Sequence, residues 1–155
     1  MQVLFMVAPT EHKLRTGCPT ACSLDIFGDH WTLLIIRNLM FLGIHEYKDM
    51  LKKEEKISSN ILTTRLKKLE ADGLIASITH PDSKRRKLYY LKPMGKDLIY
   101  IMTDMVIWAI KHLNEHLDIP KEKATLLKEE PDMFIEMMLK RIDAWEKEFL
   151  SGEEI

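Results

Sequence analysis

Ser59, Asn60, Thr63, Thr64, Lys67 and Lys68 combine hydroxyls, a carboxamide and ammonium groups within one short stretch. Such groups can donate or accept at base edges and phosphates, whereas lysine mostly neutralises phosphate. At 100° per residue, Asn60, Thr64 and Lys67 share one side of a helix, flanked by Thr63 and Lys68, opposite an apolar stripe of Leu62, Leu66 and Leu69. A second group, Lys84, Arg85, Arg86 and Lys87, is four consecutive basic residues in the connector HPDSKRRK. A solvated loop needs polarity, but it does not need one sign of charge, so this run also suits polyanion contact. Arg85 and Arg86 are the better candidates for a narrow minor groove, because guanidinium is less strongly hydrated than ammonium. Arg65 lies near the edge of the apolar stripe and reads instead as a bridge to neighbouring carboxylates or backbone.

The elements that would position these groups follow from the punctuation of the chain. A short helix is expected from Thr20 to Phe27, ended at Gly28, and a largely apolar one from Trp31 to Phe41, ended by Gly43. Two polar helices follow, His45 to Lys53 and then one capped by Ser58/Ser59 and stopped at Asp72–Gly73. Leu74, Ala76 and Ile78 alternate as a strand; a second strand at Lys87 to Leu91 places the basic run at a hairpin tip. From Met94 one long helix to Leu117 is expected. It has two apolar sides, Leu98, Ile101, Met102, Met105, Trp108 and Ala109 on one, Ile99, Val106, Ile110 and Leu113 on the other. A last helix after Pro131 carries Phe134, Met138, Ile142, Trp145 and Phe149. One small domain covers only one such side, so a homodimer is the simplest cover.

The order of helices, strand, basic hairpin, strand and long helix is that of a winged helix, with the pair at His45 to Asp72 laid out as a helix-turn-helix. The expected fold is therefore mainly α with a small β-hairpin, a winged helix-turn-helix carrying long C-terminal dimerisation helices. Its parts are an N-terminal arm at 1–17, a DNA-binding domain at 18–93 and a dimerisation region at 94–155. Charge supports the placement. The 155 residues carry a formal charge of −1, but Leu51 to Lys96 holds 12 basic residues against 5 acidic, a net of +7, leaving −8 elsewhere. Near-neutrality thus reflects polarity within the molecule, and it disfavours indiscriminate binding of DNA by the whole surface.

CPTACSLDIFGDHWTLLIIRNL, ILTTRLKKLEADGL and RKLYYLKPMG together resemble the HxlR-type winged-helix transcriptional regulators, over about Cys18 to Leu113. The resemblance implies a dimer on operator DNA, with contacts from Ser59, Asn60, Thr63, Thr64 and Lys67 on the recognition helix and Arg86 on the wing. Lys68, Lys84 and Arg85 join them on charge and position. Cys18 matches the place where some members of that family carry a sensing cysteine; a thiol just before a helix N-terminus feels a dipole that favours thiolate. Cys22, one turn later, reads as packing. Three features depart from the family pattern: His30 where lysine is usual, Lys92 where threonine is usual before Pro93, and the tail from Lys121 onward.

Other chemistries find little purchase. Two cysteines are too few for a disulfide framework, which points to a reducing, cytoplasmic setting. MQVLFMVAPTEHK has no basic residue ahead of its apolar run and reads as a poor signal peptide. No stretch reaches the roughly 18 apolar residues of a membrane helix, so no membrane partner is expected. His112 and His116 stand at i, i+4 without an evident third ligand and read as a surface pair. No metal or other cofactor is expected, and no phosphate-cradling glycine loop, nucleophile elbow or HExxH pattern suggests an enzyme. The expected partners are double-stranded DNA, a second copy of the chain and an unidentified small-molecule or oxidant effector. A winged helix whose basic hairpin docks on an acidic protein, without specific DNA binding, is the alternative.

Overall fold

In the computed structural model the described residues are 17–152, and they form two compact units, one ending at Lys96 and one beginning at Asp97. The expected arm at 1–17 lies outside the described residues except for Gly17.

The first unit opens with α1 (Pro19–Phe27) and α2 (His30–Arg37). The expected single helix to Phe41 instead widens after Arg37 into a π-helical turn, Asn38–Leu42, closed by Gly43 at a φ of 62°. The four consecutive residues Asn38, Leu39, Met40 and Phe41 are all buried, so the chain is surrounded there and no one-sided stripe marks the change. A short α3 (Tyr47–Leu51) leads to α4 (Ser59–Ala71). Ser58 caps α4 by accepting from the Ile61 amide at 3.3 Å, and Gly73, at a φ of 78°, ends it in a conformation that L side chains rarely adopt. Leu62, Leu66 and Leu69 are buried, as their spacing predicts.

The antiparallel hairpin is β1 (Ile75–His80) and β2 (Ser83–Leu91), running from the Ile75–Leu91 pair to Thr79–Lys87. Its turn is Pro81–Asp82, with the Asp82 amide donating to His80 Nδ1 at 3.0 Å. The basic run is therefore not in the turn but in β2, which begins four residues earlier than expected. The register jumps from Thr79–Lys87 to His80–Ser83, and Lys84, Arg85 and Arg86 occupy that irregularity. On its other side β2 meets residues 45–46, through a bridge between Glu46 and Leu88 and a bond from the Tyr89 amide to the His45 carbonyl at 2.9 Å. Ile35, Ile36, Met40, Met50, Leu62, Leu66, Leu69, Leu74 and Ile75 form the core. This is the winged helix-turn-helix expected from the element order.

The long helix expected from Met94 is broken. A single turn, α5 (Pro93–Lys96), closes the first unit, and the second begins with α6 (Ile99–Leu113) after a turn at Asp97–Leu98. A 3₁₀ turn (Asn114–His116) precedes α7 (Lys121–Glu129), a helix the sequence did not announce, and α8 (Pro131–Phe149) follows. Ile110, Leu127, Phe134 and Ile142 are buried, whereas Trp145 and Phe149 stack on each other, half-buried, with ring centroids 4.9 Å apart. Among the described residues, no helix is long and apolar enough to cross a membrane.

Candidate nucleic-acid interface

The polar side of α4 is open. Ser59, Asn60, Thr63, Thr64 and Lys67 are exposed, and the leucine stripe holds the opposite side in the core. Two of the expected readers already use their hydroxyls: Thr64 Oγ1 donates to the Asn60 carbonyl at 2.8 Å, and Thr63 Oγ1 lies 3.0 Å from Tyr47 Oη. Lys68 is drawn to the buried carboxylate of Asp72, one turn on, and so stands apart from Lys67.

The wing divides its cations in the same way. Lys84, Arg85 and Lys87 are exposed and make no ion pair among the described residues. Arg86 is held by a two-point bond to Glu46, with Nε at 2.9 Å and Nη2 at 2.7 Å, and its Nη2 also lies 3.0 Å from His80 Nε2. That guanidinium holds the Glu46 carboxyl below the usual carboxylate range. Arg86 therefore ties the wing to the residue entering α3, and the outward charge comes from its neighbours. A groove of about 330 Å³ runs between these elements, lined by Tyr47, Lys48, Arg85, Lys87, Tyr89 and the Glu46–Arg86 pair. Four cations against one carboxylate make it an electropositive channel beside the N-terminus of α4.

The model of the HxlR-like helix-turn-helix family matches residues 26–117. The chain belongs to that family. YdeP of Bacillus subtilis (strain 168), an uncharacterised HTH-type transcriptional regulator, is 29% identical over 96 residues, covering 62% of this chain and 74% of YdeP. YtfH of Escherichia coli (strain K12), described in the same terms, is 28% identical over 107 residues, 69% of this chain and 84% of YtfH. Among solved structures, the redox regulator HypR in its oxidised form aligns with a TM-score of 0.54 at 25% identity, over 66% of this chain and 100% of that one. This HxlR-like protein is accordingly an HTH-type transcriptional regulator and not an enzyme.

Besides its buried leucines, α4 in this HxlR-like chain is tied by an ion pair to the N-cap of α2. Arg65 bonds Asp29 through Nε at 2.7 Å and Nη2 at 3.0 Å, the bridging role its position suggests. Asp29 also caps α2, accepting from the Thr32 amide at 3.0 Å and from the Thr32 hydroxyl at 3.2 Å. Arg65 foremost pushes the Asp29 carboxyl far below its ordinary value. The two side chains are 30% and 38% exposed, so solvent screening reduces the pair to about 1 kcal/mol. Losing the cap costs about 1 kcal/mol more. Asp29→Ala should thus lower stability by about 2 kcal/mol, and Asp29→Asn, which keeps a cap, by about half that. A depressed carboxyl stabilises the fold above its unfolded pKa, near 4, and that contribution is lost as pH falls below it. In urea unfolding, the difference between wild type and Asp29→Asn should shrink below about pH 4; a constant difference from pH 7 to pH 3 would remove the ion pair from this role.

Neither Glu46 nor Tyr47 is distinguished as a functional residue by the sequence. Both act on residues far along the chain, and nothing local announces either. His112 packs its ring against Trp108, with centroids 4.9 Å apart. Among the described residues, no three His, Cys, Asp or Glu side chains gather to hold a metal.

Proposed function

We propose that this regulator binds a pseudo-palindromic operator as a homodimer, one half-site per subunit, with α4 in the major groove and the wing on adjacent phosphates or the minor groove. The observation that carries the reading is that one unit presents both the exposed polar side of α4 and the exposed Lys84, Arg85 and Lys87. Ser59, Asn60, Thr63, Thr64 and Lys67 are the base and phosphate readers on α4; Lys68 and Arg86, held by Asp72 and Glu46, support them. A second copy is supported by Ile101, Met105 and Trp108, successive apolar residues on one side of α6 that are 44%, 47% and 59% exposed. A gel-shift titration on the DNA upstream of the protein's own gene should show sequence-preferring binding that weakens steeply with salt. Salt-insensitive binding, or an acidic protein partner retained without any DNA affinity, would favour the interaction-module reading instead.

Redox or electrophile sensing by Cys18 belongs to the same proposal. Cys18 is exposed at the N-cap of α1, and the nearby backbone amides of Ala21 and Thr20 pull its thiol below the ordinary value. Cys22 is half-buried one turn later. That the structurally similar HypR is a redox regulator is in keeping with this. Diamide or a quinone should change operator affinity in wild type and leave Cys18→Ser unaffected; an identical response in both proteins would exclude Cys18.

A further inference from the structure

Tyr47 Oη lies 3.0 Å from the Ser59 carbonyl oxygen and 3.0 Å from Thr63 Oγ1. A phenol has a single proton to donate. Because a carbonyl oxygen can only accept, that proton goes to Ser59, and the phenol oxygen must accept from Thr63. The one hydroxyl proton of Thr63 is thereby held inside the protein. What this exposed side chain offers outward is its oxygen lone pairs and its methyl group. Thr64 reaches the same polarity by a local route, donating to the carbonyl of Asn60.

We infer that Tyr47, on α3 and outside the recognition helix, is a positioning residue for base specificity: it makes Thr63 an acceptor-only reader. The inference rests on the DNA-binding reading above. In the major groove, adenine N6 and cytosine N4 present amino donors, whereas guanine N7 and O6 and thymine O4 accept. A threonine with a rotating hydroxyl meets either kind, but one whose proton is already committed meets only the amino bases. The base opposite Thr63 should therefore be adenine or cytosine. Guanine or thymine would set acceptor against acceptor. The donors for those bases must come from Ser59, Asn60 and Lys67.

Tyr47→Phe keeps the ring and removes only the oxygen, and Thr63→Val keeps the shape of its side chain without a hydroxyl. In Tyr47→Phe the Thr63 proton can still turn back to the Ser59 carbonyl, but such local bonds are weak and yield to a better acceptor. Binding-site selection from a randomised duplex pool, at one salt concentration, reads the consequence. Wild type should show a position in each half-site where adenine or cytosine is preferred over guanine or thymine by about fivefold, the worth of one hydrogen bond. Tyr47→Phe should reduce that preference to about twofold or less while the rest of the motif is kept. Thr63→Val should lose the same preference, and adding Tyr47→Phe to it should change nothing further. An identical motif in wild type and Tyr47→Phe, or a uniform loss of affinity with the motif intact, would overturn the inference. If wild type enriches no motif at all, the DNA-binding reading itself fails, and this assignment falls with it.

Discussion

Gly95→Ala is expected to destabilise the winged-helix unit by about 3 kcal/mol, a large part of the roughly 5–15 kcal/mol that holds a domain of this kind together. A Cβ at this position would overlap the backbone carbonyl oxygen of Leu74 and lie 3.2 Å from a methyl of Leu91. The first neighbour is backbone and cannot turn aside. The Leu74 carbonyl also accepts from the Lys92 amide at 2.9 Å, so moving it breaks the bond that closes the hairpin onto α5. Alanine would gain at most about 1 kcal/mol from its better helix propensity and its smaller loss of backbone entropy. Overlap with a fixed carbonyl outweighs that gain. Urea unfolding combined with hydrogen exchange at the β1 and β2 amides would check it. A variant as stable as wild type, with unchanged protection in the hairpin, would show that α5 can draw back from Leu74 without cost.

Replacing Lys84 and Arg85 with alanine together should flatten the dependence of log affinity on log salt by about 2 per half-site, since each phosphate contact contributes about 0.9 to the slope. The deficit relative to wild type should then shrink about tenfold per half-site between 50 and 200 mM salt. It should be alike for all operator sequences, because phosphates carry no sequence information. Arg86→Ala should behave differently. Its guanidinium is engaged by Glu46, so the slope should change little, while the wing loses its tie to residue 46 and its amides exchange faster. Gel shifts at several salt concentrations separate the two cases. If Arg86→Ala flattens the slope as much as Arg85→Ala does, Arg86 leaves Glu46 in the complex and serves as a phosphate contact.

Much of the α4 interface is legible in the sequence because it is local. A helix repeats every 3.6 residues, so Leu62, Leu66 and Leu69 assign the buried side and leave Asn60, Thr64 and Lys67 on the other. Ser58 and Gly73 mark its ends by their own backbone chemistry. The basic run is legible as charge, yet its strand is not. Four consecutive cations mask the two-residue alternation that marks β2, and a turn without glycine hides where the hairpin reverses. The π-helical turn at Asn38–Leu42 escaped notice because burial of four consecutive residues, Asn38 to Phe41, erases periodicity, and α7 because its short apolar signal lies among charges.

The segments, their polarity, the +7 recognition region and the exposed side of α4 were determined by the sequence alone, since composition and period act over a few residues. Which of those charges remain available to a partner was decided only by the tertiary structure. Arg86 meets Glu46 across 40 positions and Arg65 meets Asp29 across 36, while Tyr47 engages the Thr63 hydroxyl from a different helix. Residue type says that a group can donate or accept. Whether it is already bonded depends on which distant segments the fold brings within about 3 Å, and no local pattern encodes that.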